Sequence, residues 1–417
     1  MSATITRDVL RPPPAGLRAR LLAPVMAWGV ETGLPLFFRF LRALRWNLRF
    51  GVVFATRYDE VREVFLNDQA FRVPYAAKLD VIMGGHPFFL SMDDTKAYRD
   101  DTEAMRKAIR VADIPARLIP EVERLGEKIV IDANGRLEVV DSLVRRITFE
   151  LYQGYFGIPD PPGEDLRVWA TRLFEFQFAD MGDDPALRTE VDAIAPALRK
   201  HIQNLMDTRR ISGMVQDDVL GRCLEMQKQG TPGFDDGQIR SSLMGFIVGG
   251  PPQPPMVVPQ ALEQLLRRPD ALAGAQQAAR DNDDQLLAGY VFEAMRFDPL
   301  APFLPRVAKG ASTIGRGTPR AVNVPEGTRV LVAFGSAMMD ERRLPNPKAF
   351  NPRRLPHEYI HFGYGLHQCF GIHMNKALLP LMLKALLKRP NLRRVPGAAG
   401  RLSKRGAFAD KLQVDYD

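Results

Sequence analysis

The run Phe362-Gly363-Tyr364-Gly365-Leu366-His367-Gln368-Cys369-Phe370-Gly371 sets one cysteine between glycines, directly ahead of an amphipathic helical stretch from Ile372 to Leu387. Glycines let the backbone turn tightly and approach a flat macrocycle closely. A helix beginning just after the cysteine turns its N-terminal amides and positive dipole end toward the sulfur, which predicts a lowered thiol pKa. Those are the needs of a thiolate ligand to haem iron. Such a ligand pushes electron density onto the metal and favours O–O cleavage.

Two other clusters bear on chemistry. Glu293-Ala294-Met295-Arg296 places a carboxylate and a guanidinium on one helical face, an i,i+3 pair that alone means surface support. Phe246-Ile247-Val248-Gly249-Gly250-Pro251-Pro252-Gln253-Pro254-Pro255 is an apolar helical pattern interrupted by prolines. Each proline costs ~3 kcal/mol inside a regular helix. A zinc site from His361, His367, Cys369 and His373 has acceptable ligand types, but the spacing matches no common zinc pattern.

The elements that must position these groups come from a chain of 417 residues that is 46% hydrophobic, enough for a large core. The only cysteines are Cys223 and Cys369, so no disulfide framework is expected and a reducing cytoplasm is the natural setting. Cys223 lies in the helical run Val219–Gln227 and reads as a buried small hydrophobe. No stretch approaches a membrane span. Leu34–Phe54 is apolar but carries Arg39, Arg42, Arg45 and Arg49 at helical spacing, an amphipathic helix packed on the body or resting on a membrane surface. The net charge of +8 is modest and spread out, which excludes a nucleic-acid footprint and suits an acidic protein partner.

Arg11-Pro12-Pro13-Pro14 marks an extended arm. Gly51–Thr56 reads as a strand and Tyr58–Phe65 as a short helix. From Thr95 to Gly289 the periodicity is helical, broken at Pro159–Gly163, Met181–Pro185 and Gln229–Gly237. A turn at Pro325–Thr328 leads into the strand Arg329–Phe334. The aperiodic segment Arg342–Pro356 is long for a structureless run and therefore reads as functional.

Position by position, the cysteine segment resembles the haem-binding loop of the cytochromes P-450, Phe-Gly-x-Gly-x-His-x-Cys-x-Gly. The likeness can be followed from about Gly51 to the C-terminus. It implies a mainly α fold with small β-sheets, with an arm and amphipathic segment at 1–50 and one catalytic domain at 51–417. It also implies haem b (iron protoporphyrin IX) ligated by Cys369, with Phe362, Gly363 and Gly371 in the surrounding loop. Glu293 and Arg296 then match the family's Glu-x-x-Arg helix, and Arg354 in Phe350-Asn351-Pro352-Arg353-Arg354 matches the arginine that joins them. That trio would be structural. Arg306 and His367 take the places of haem propionate donors. Tyr98, Arg99 and Tyr359 stand where bacterial relatives carry other propionate contacts, and are substitutes for them.

The likeness fails at the oxygen-activation helix. Relatives carry Ala/Gly-Gly-x-Asp/Glu-Thr there, and the acid–alcohol pair delivers protons for O–O cleavage. Aligning Gly249 and Gly250 puts Pro252 at the acid and Gln253 at the alcohol. Proline offers no proton, and a glutamine amide does not titrate usefully. The departure points to an already reduced oxidant, hydrogen peroxide or an organic hydroperoxide. The alternatives are an O2-dependent monooxygenase fed by an acidic ferredoxin-type donor, with Arg106, Lys107, Arg110 and Lys376 facing it, and a haem sensor or electron carrier. The pocket should be apolar, lined from Phe88–Leu90, Phe174–Phe178 and Leu300–Leu304, and should take a hydrophobic substrate. Arg39, Arg42 and Arg45 would suit the carboxylate of a fatty acid or its hydroperoxide at the mouth.

Overall fold

In a computed structural model, residues 9–10, 29, 33–47, 51–180, 182–213 and 216–417 are described. The Pro12–Pro14 arm and Arg49 lie outside them. The chain is mainly helical, and the described strands form sheets of four, three, two and two. No helix among the described residues is long and apolar enough to cross a membrane.

The four-stranded sheet runs in the order Val52–Ala55, Arg329–Val332, Leu304–Ala308, Phe71–Arg72. Its first pair is parallel, with Val52 opposite Arg329, and the next is antiparallel, with Leu304 opposite Val332. The two-residue period of Leu304–Ala308 turns Arg306 and Ala308 to the buried face. The helix Tyr58–Leu66 covers this sheet, so Val61, Val64, Val330 and Val332 share one core. The helix Leu34–Ala43 rests on the body through Phe38 and Leu41 and leaves Leu36 and Phe40 exposed. The phenyl ring of Phe38 meets Phe303 edge-on at 6.0 Å.

The helical body holds a second, larger core. Cys223 lies inside it, fully buried on the helix Val219–Lys228. The helix Lys96–Ala108 begins where the Thr95 hydroxyl accepts from the Tyr98 amide at 3.1 Å. Asp235 and Gln238 form a capping box for the helix Asp236–Gly249, whose stretch Ser241–Gly245 is buried.

Three expectations are corrected. Arg136–Glu138 is a strand inside the stretch expected to be helical, because Gln413–Asp415 pairs with it from the far end of the chain. Ile372–Leu387 divides into Ile372–Leu381 and Lys384–Leu387, where the Leu383 amide turns to the Pro380 carbonyl three residues back, at 3.2 Å, and interrupts the ladder. The third concerns the prolines. The break is confined to Gly250–Gln253, and the helix resumes at Pro254. Pro254 and Pro255 fall in its first turn, where an amide has no intrahelical partner, so the expected interior penalty does not apply to them.

Candidate active site

Cys369 is set by a chain of backbone hydrogen bonds. Its amide donates to the Phe362 carbonyl at 2.9 Å, the Gln368 amide to Gly365 at 3.1 Å, and the Ile372 amide to the Cys369 carbonyl at 3.2 Å. Gly365 has φ +73°, and a Cβ there would stand 2.5 Å from the Phe65 carbonyl oxygen, so this turn requires glycine. Gly363 also lies in the left-handed region, at φ +66°. Gly371 caps the following helix, and an added Cβ there would stand 4.0 Å from the sulfur.

The thiol opens on a cavity of about 2190 Å³ that extends to the helix Leu34–Ala43. Asn375, one turn into the helix, points its amide at the sulfur from 3.5 Å. Burial pushes the Cys369 thiol up, against hydrogen bonds from the Gly371 amide and Asn375 that favour the thiolate. The expected lowering by the helix is therefore outweighed, because two neutral donors do not replace lost hydration. A cation at the sulfur would reverse this. Nothing in the sequence singles out Asn375.

Across the cavity, Gly249, Gly250 and Gln253 form the wall, whereas Pro251 and Pro252 are buried away from it. The Gln253 side-chain amide donates to the Gly249 carbonyl, the bond its own backbone amide would make in an unbroken helix. That backbone amide bonds Gly250 instead, at 3.2 Å.

Arg306, His367, Tyr98, Phe362 and Gly363 all border the cavity. Arg306 is 5% exposed, and no carboxylate pairs with it among the described residues. Its contacts are the Pro305 carbonyl at 3.0 Å, the Tyr75 hydroxyl, and the face of Phe65. Burial, and after it the charge of Arg306, push His367 down to about 4. Tyr98 donates to the Leu366 carbonyl and meets the His367 ring edge-on.

Two residues expected beside these are placed elsewhere. Arg99 is exposed, paired with Asp94, and does not border the cavity. Tyr359 donates to Glu293 at 3.2 Å, which puts it in the charge network behind the loop. In each case a nearer carboxylate takes the side chain.

Glu293, Arg296 and Arg354 in that network are buried. Glu293 accepts from Arg296 at 2.6 and 2.9 Å, from Arg354 at 3.2 Å and from the Asn351 amide at 2.9 Å. Arg354 continues to Glu358 at 3.1 Å and to the carbonyls of Pro345, Asn346 and Ala349. Burial would raise the Glu293 carboxyl, but the hydrogen bonds and charge of Arg296 hold it below the ordinary range. The trio thus ties the aperiodic segment Arg342–Pro356 to the helix Asp284–Phe297.

The apolar wall follows expectation at Phe88–Leu90 and Leu300–Leu304. In Phe174–Phe178 the cavity takes Phe174, Glu175, Gln177 and Phe178 and leaves out Phe176. Arg39 and Arg42 border the mouth, Arg45 does not, and Arg42 is held by Ser336 at 2.7 Å. Of the basic residues proposed to face a donor, Arg106 lies over the Phe370 ring at 5.1 Å and Lys107 pairs with Glu103. His361 sends its ring nitrogen to the Phe292 carbonyl at 2.9 Å, and no cluster of metal-ligating side chains occurs among the described residues.

A flat dianionic macrocycle such as haem b fits this wall. The cavity has the volume, Cys369 has a thiol short of a cation, and Arg306 is a buried cation short of an anion. His367 and Tyr98 stand beside Arg306 on the same rim.

Comparison with known proteins agrees. Bifunctional dioxygenase (DOX)-epoxy alcohol synthase (EAS) of Pyricularia oryzae is 34% identical over 408 residues, covering 87% of this chain and 35% of that protein. The namesake of Fusarium oxysporum is 36% identical over 137 residues, 33% of this chain and 11% of that one. The chain thus spans about a third or less of these fungal relatives. Steroid C26-monooxygenase of Mycolicibacterium smegmatis is 24% identical, covering 83% of this chain and 82% of that one. Among solved structures, CalO2 superposes with a TM-score of 0.76 at 22% identity, covering 98% of each chain. P450BioI, solved with an acyl carrier protein carrying hexadec-9Z-enoic acid, also gives 0.76, at 18% identity over 92% of this chain and 98% of that one. The family model described as Cytochrome P450 matches residues 186–406. That match takes in more than half of the chain, including Glu293, Arg306 and Cys369, and so the chain belongs to the cytochrome P450 family, oxidoreductases that bind haem b through a cysteine thiolate.

Proposed function

We infer that this chain transforms an apolar hydroperoxide, of which a fatty-acid hydroperoxide is the best candidate, with Cys369 as the iron ligand. The observation that carries the reading is the helix break at Gly250–Gln253. Within Gly249–Gln253 no side chain is an acid or an alcohol, and the one polar side chain of that stretch is the Gln253 amide, already bonded to Gly249. Its amide protons do not titrate, so it supplies no proton relay for reducing O2. The likeness to epoxy alcohol synthases supports the same reading.

The chain's own residues have distinct tasks. With one N–H of its amide bonded to Gly249, Gln253 keeps a carbonyl oxygen that accepts the O–H of a hydroperoxide and aims its O–O bond at the cysteine side. Phe88, Phe89 and Leu300 bury the hydrocarbon tail and exclude water. Arg306 and His367 would hold the propionates, with Tyr98 packed edge-on against His367, while Glu293, Arg296 and Arg354 brace the segment leading to the cysteine loop. Haem b held by Cys369 would supply the redox chemistry for O–O cleavage, which a thiolate ligand favours.

The test is turnover of a fatty-acid hydroperoxide by haem-loaded protein without reductase or NAD(P)H. Rapid formation of rearranged or epoxy alcohol products is expected. Bleaching alone, together with oxygen insertion once a ferredoxin-type donor and O2 are supplied, would instead establish a conventional monooxygenase. The guanidinium of Arg106 beside Phe370, next to Cys369, favours that second reading.

A further inference from the structure

Three aromatic rings on the helix Arg146–Phe156 lead from the cavity to a buried carboxylate. Tyr152 borders the cavity against Gly250, where a Cβ would come within 2.6 Å of the ring and 2.8 Å of its hydroxyl. Only glycine at 250 admits the phenol there. Its hydroxyl has no hydrogen-bond partner among the described residues, whereas the cavity phenols Tyr75 and Tyr98 are bonded to Arg306 and Leu366. Burial, and after it the charge of Cys369, push the Tyr152 phenol up.

Tyr152 stacks on Phe156 at 5.1 Å with ring planes 14° apart. Phe156 meets Tyr155 edge-on at 5.5 Å. The Tyr155 hydroxyl donates to Asp113 at 2.8 Å, and Arg222 binds the same carboxylate. Burial would raise the Asp113 carboxyl, but the bonds from Arg222 and Tyr155 hold it below the ordinary range, so it is an ionised acceptor. The guanidinium groups of Arg117 and Arg222 lie over the Tyr155 ring at 5.8 and 5.9 Å.

The geometry points to a one-electron relay from Tyr155 through Phe156 and Tyr152 to the haem site, working when a peroxide is cleaved there with no substrate to take up the oxidising equivalent. Peroxide is the oxidant: its O–O bond breaks at the site, one oxygen leaves as water with both peroxide protons, and two oxidising equivalents stay behind, of which the relay fills one. On the chain, the Tyr155 O–H bond breaks. The electron crosses the ring contacts to the site, and the proton passes to Asp113, giving a neutral phenoxyl radical and a carboxylic acid. The two guanidinium groups disfavour positive charge on the ring, so the electron leaves only with the proton. The relay rests on the reading above that the site consumes peroxides, and would spare the haem and cavity from self-oxidation.

Haem-loaded full-length protein would be mixed with hydrogen peroxide without organic substrate, freeze-quenched for electron paramagnetic resonance, and followed by its Soret band. The parent should give a tyrosyl radical. Tyr155→Phe should lose that signal and bleach severalfold faster. Phe156→Leu keeps both hydroxyls and the Asp113 bond but removes the bridging ring, and should cut the radical yield in the same direction. A radical undiminished in both variants, or a Soret response with no tyrosyl radical in the parent, overturns the relay alone. A Soret band indifferent to peroxide overturns the peroxide reading and the relay with it.

Discussion

Arg296 grips Glu293 with two hydrogen bonds of 2.9 and 2.6 Å, and neither side chain has any solvent exposure. Arg354 reaches the same carboxylate from a segment far along the chain. Removing one partner of a buried network leaves the others charged and unsolvated, which costs about 3–5 kcal/mol. Glu293→Ala should therefore lower the unfolding free energy measured in urea by that much and reduce haem retention. A Glu293→Met, Arg296→Met double variant should lose less than the single one, since no lone charge remains on that helix. Equal losses would show that the network stabilises by packing alone.

Arg306 gives a prediction of opposite signs. In the chain without haem its guanidinium is buried without an anion, and burial lowers its pKa. Arg306→Met should raise the melting temperature of the haem-free protein. The same change should weaken haem binding by about 1.5–3 kcal/mol, the worth of a charged hydrogen bond. Calorimetry on haem-free protein and a haem-transfer titration read the two effects separately. A loss in both would mean Arg306 is structural.

Gln253→Leu removes the donor that satisfies the Gly249 carbonyl at the helix break. An unpaired polar group costs about 1–3 kcal/mol of stability. Hydroperoxide turnover should fall about tenfold, the rate worth of one lost hydrogen bond. Gln253→Glu loses the amide donor as well and brings a carboxylate against that carbonyl, yet it supplies a titratable group. If it gained O2-dependent turnover with a reductase, the missing relay would be confirmed as what limits the parent. Unchanged hydroperoxide turnover in Gln253→Leu would remove Gln253 from the chemistry.

The cysteine loop was legible because its turns need glycine at fixed places, as the 2.5 Å clash at Gly365 illustrates. Glu293, Arg296 and Arg354 were legible only through family likeness, since an i,i+3 pair looks the same on a surface. Arg99 and Tyr359 were misplaced because alignment fixes a backbone position while the nearest charge decides where a side chain goes. The Arg136–Glu138 strand was hidden because its partner, Gln413–Asp415, is remote in sequence. Tyr152 left no trace in the periodicity. Its place depends on Gly250, in the break that follows another helix.

His361 sets the sign of the acid response. It is enclosed between Tyr359 and Phe292, with ring centroids at 5.2 and 6.0 Å, and donates to the Phe292 carbonyl at 2.9 Å. Burial lowers its pKa from 6.5 to about 4. Between those values the unfolded chain binds a proton at this residue and the folded chain does not, so stability rises with pH. Acidification from about pH 7 to about pH 4 should then cost at most about 3 kcal/mol from this residue. Glu293, held below the ordinary carboxylate range, adds a loss of the same sign at still lower pH. His361→Gln keeps a donor for the Phe292 carbonyl and cannot titrate. Urea midpoints measured across this window should fall less steeply for it than for the parent. Parallel slopes would mean that His361 takes up its proton without leaving its buried site.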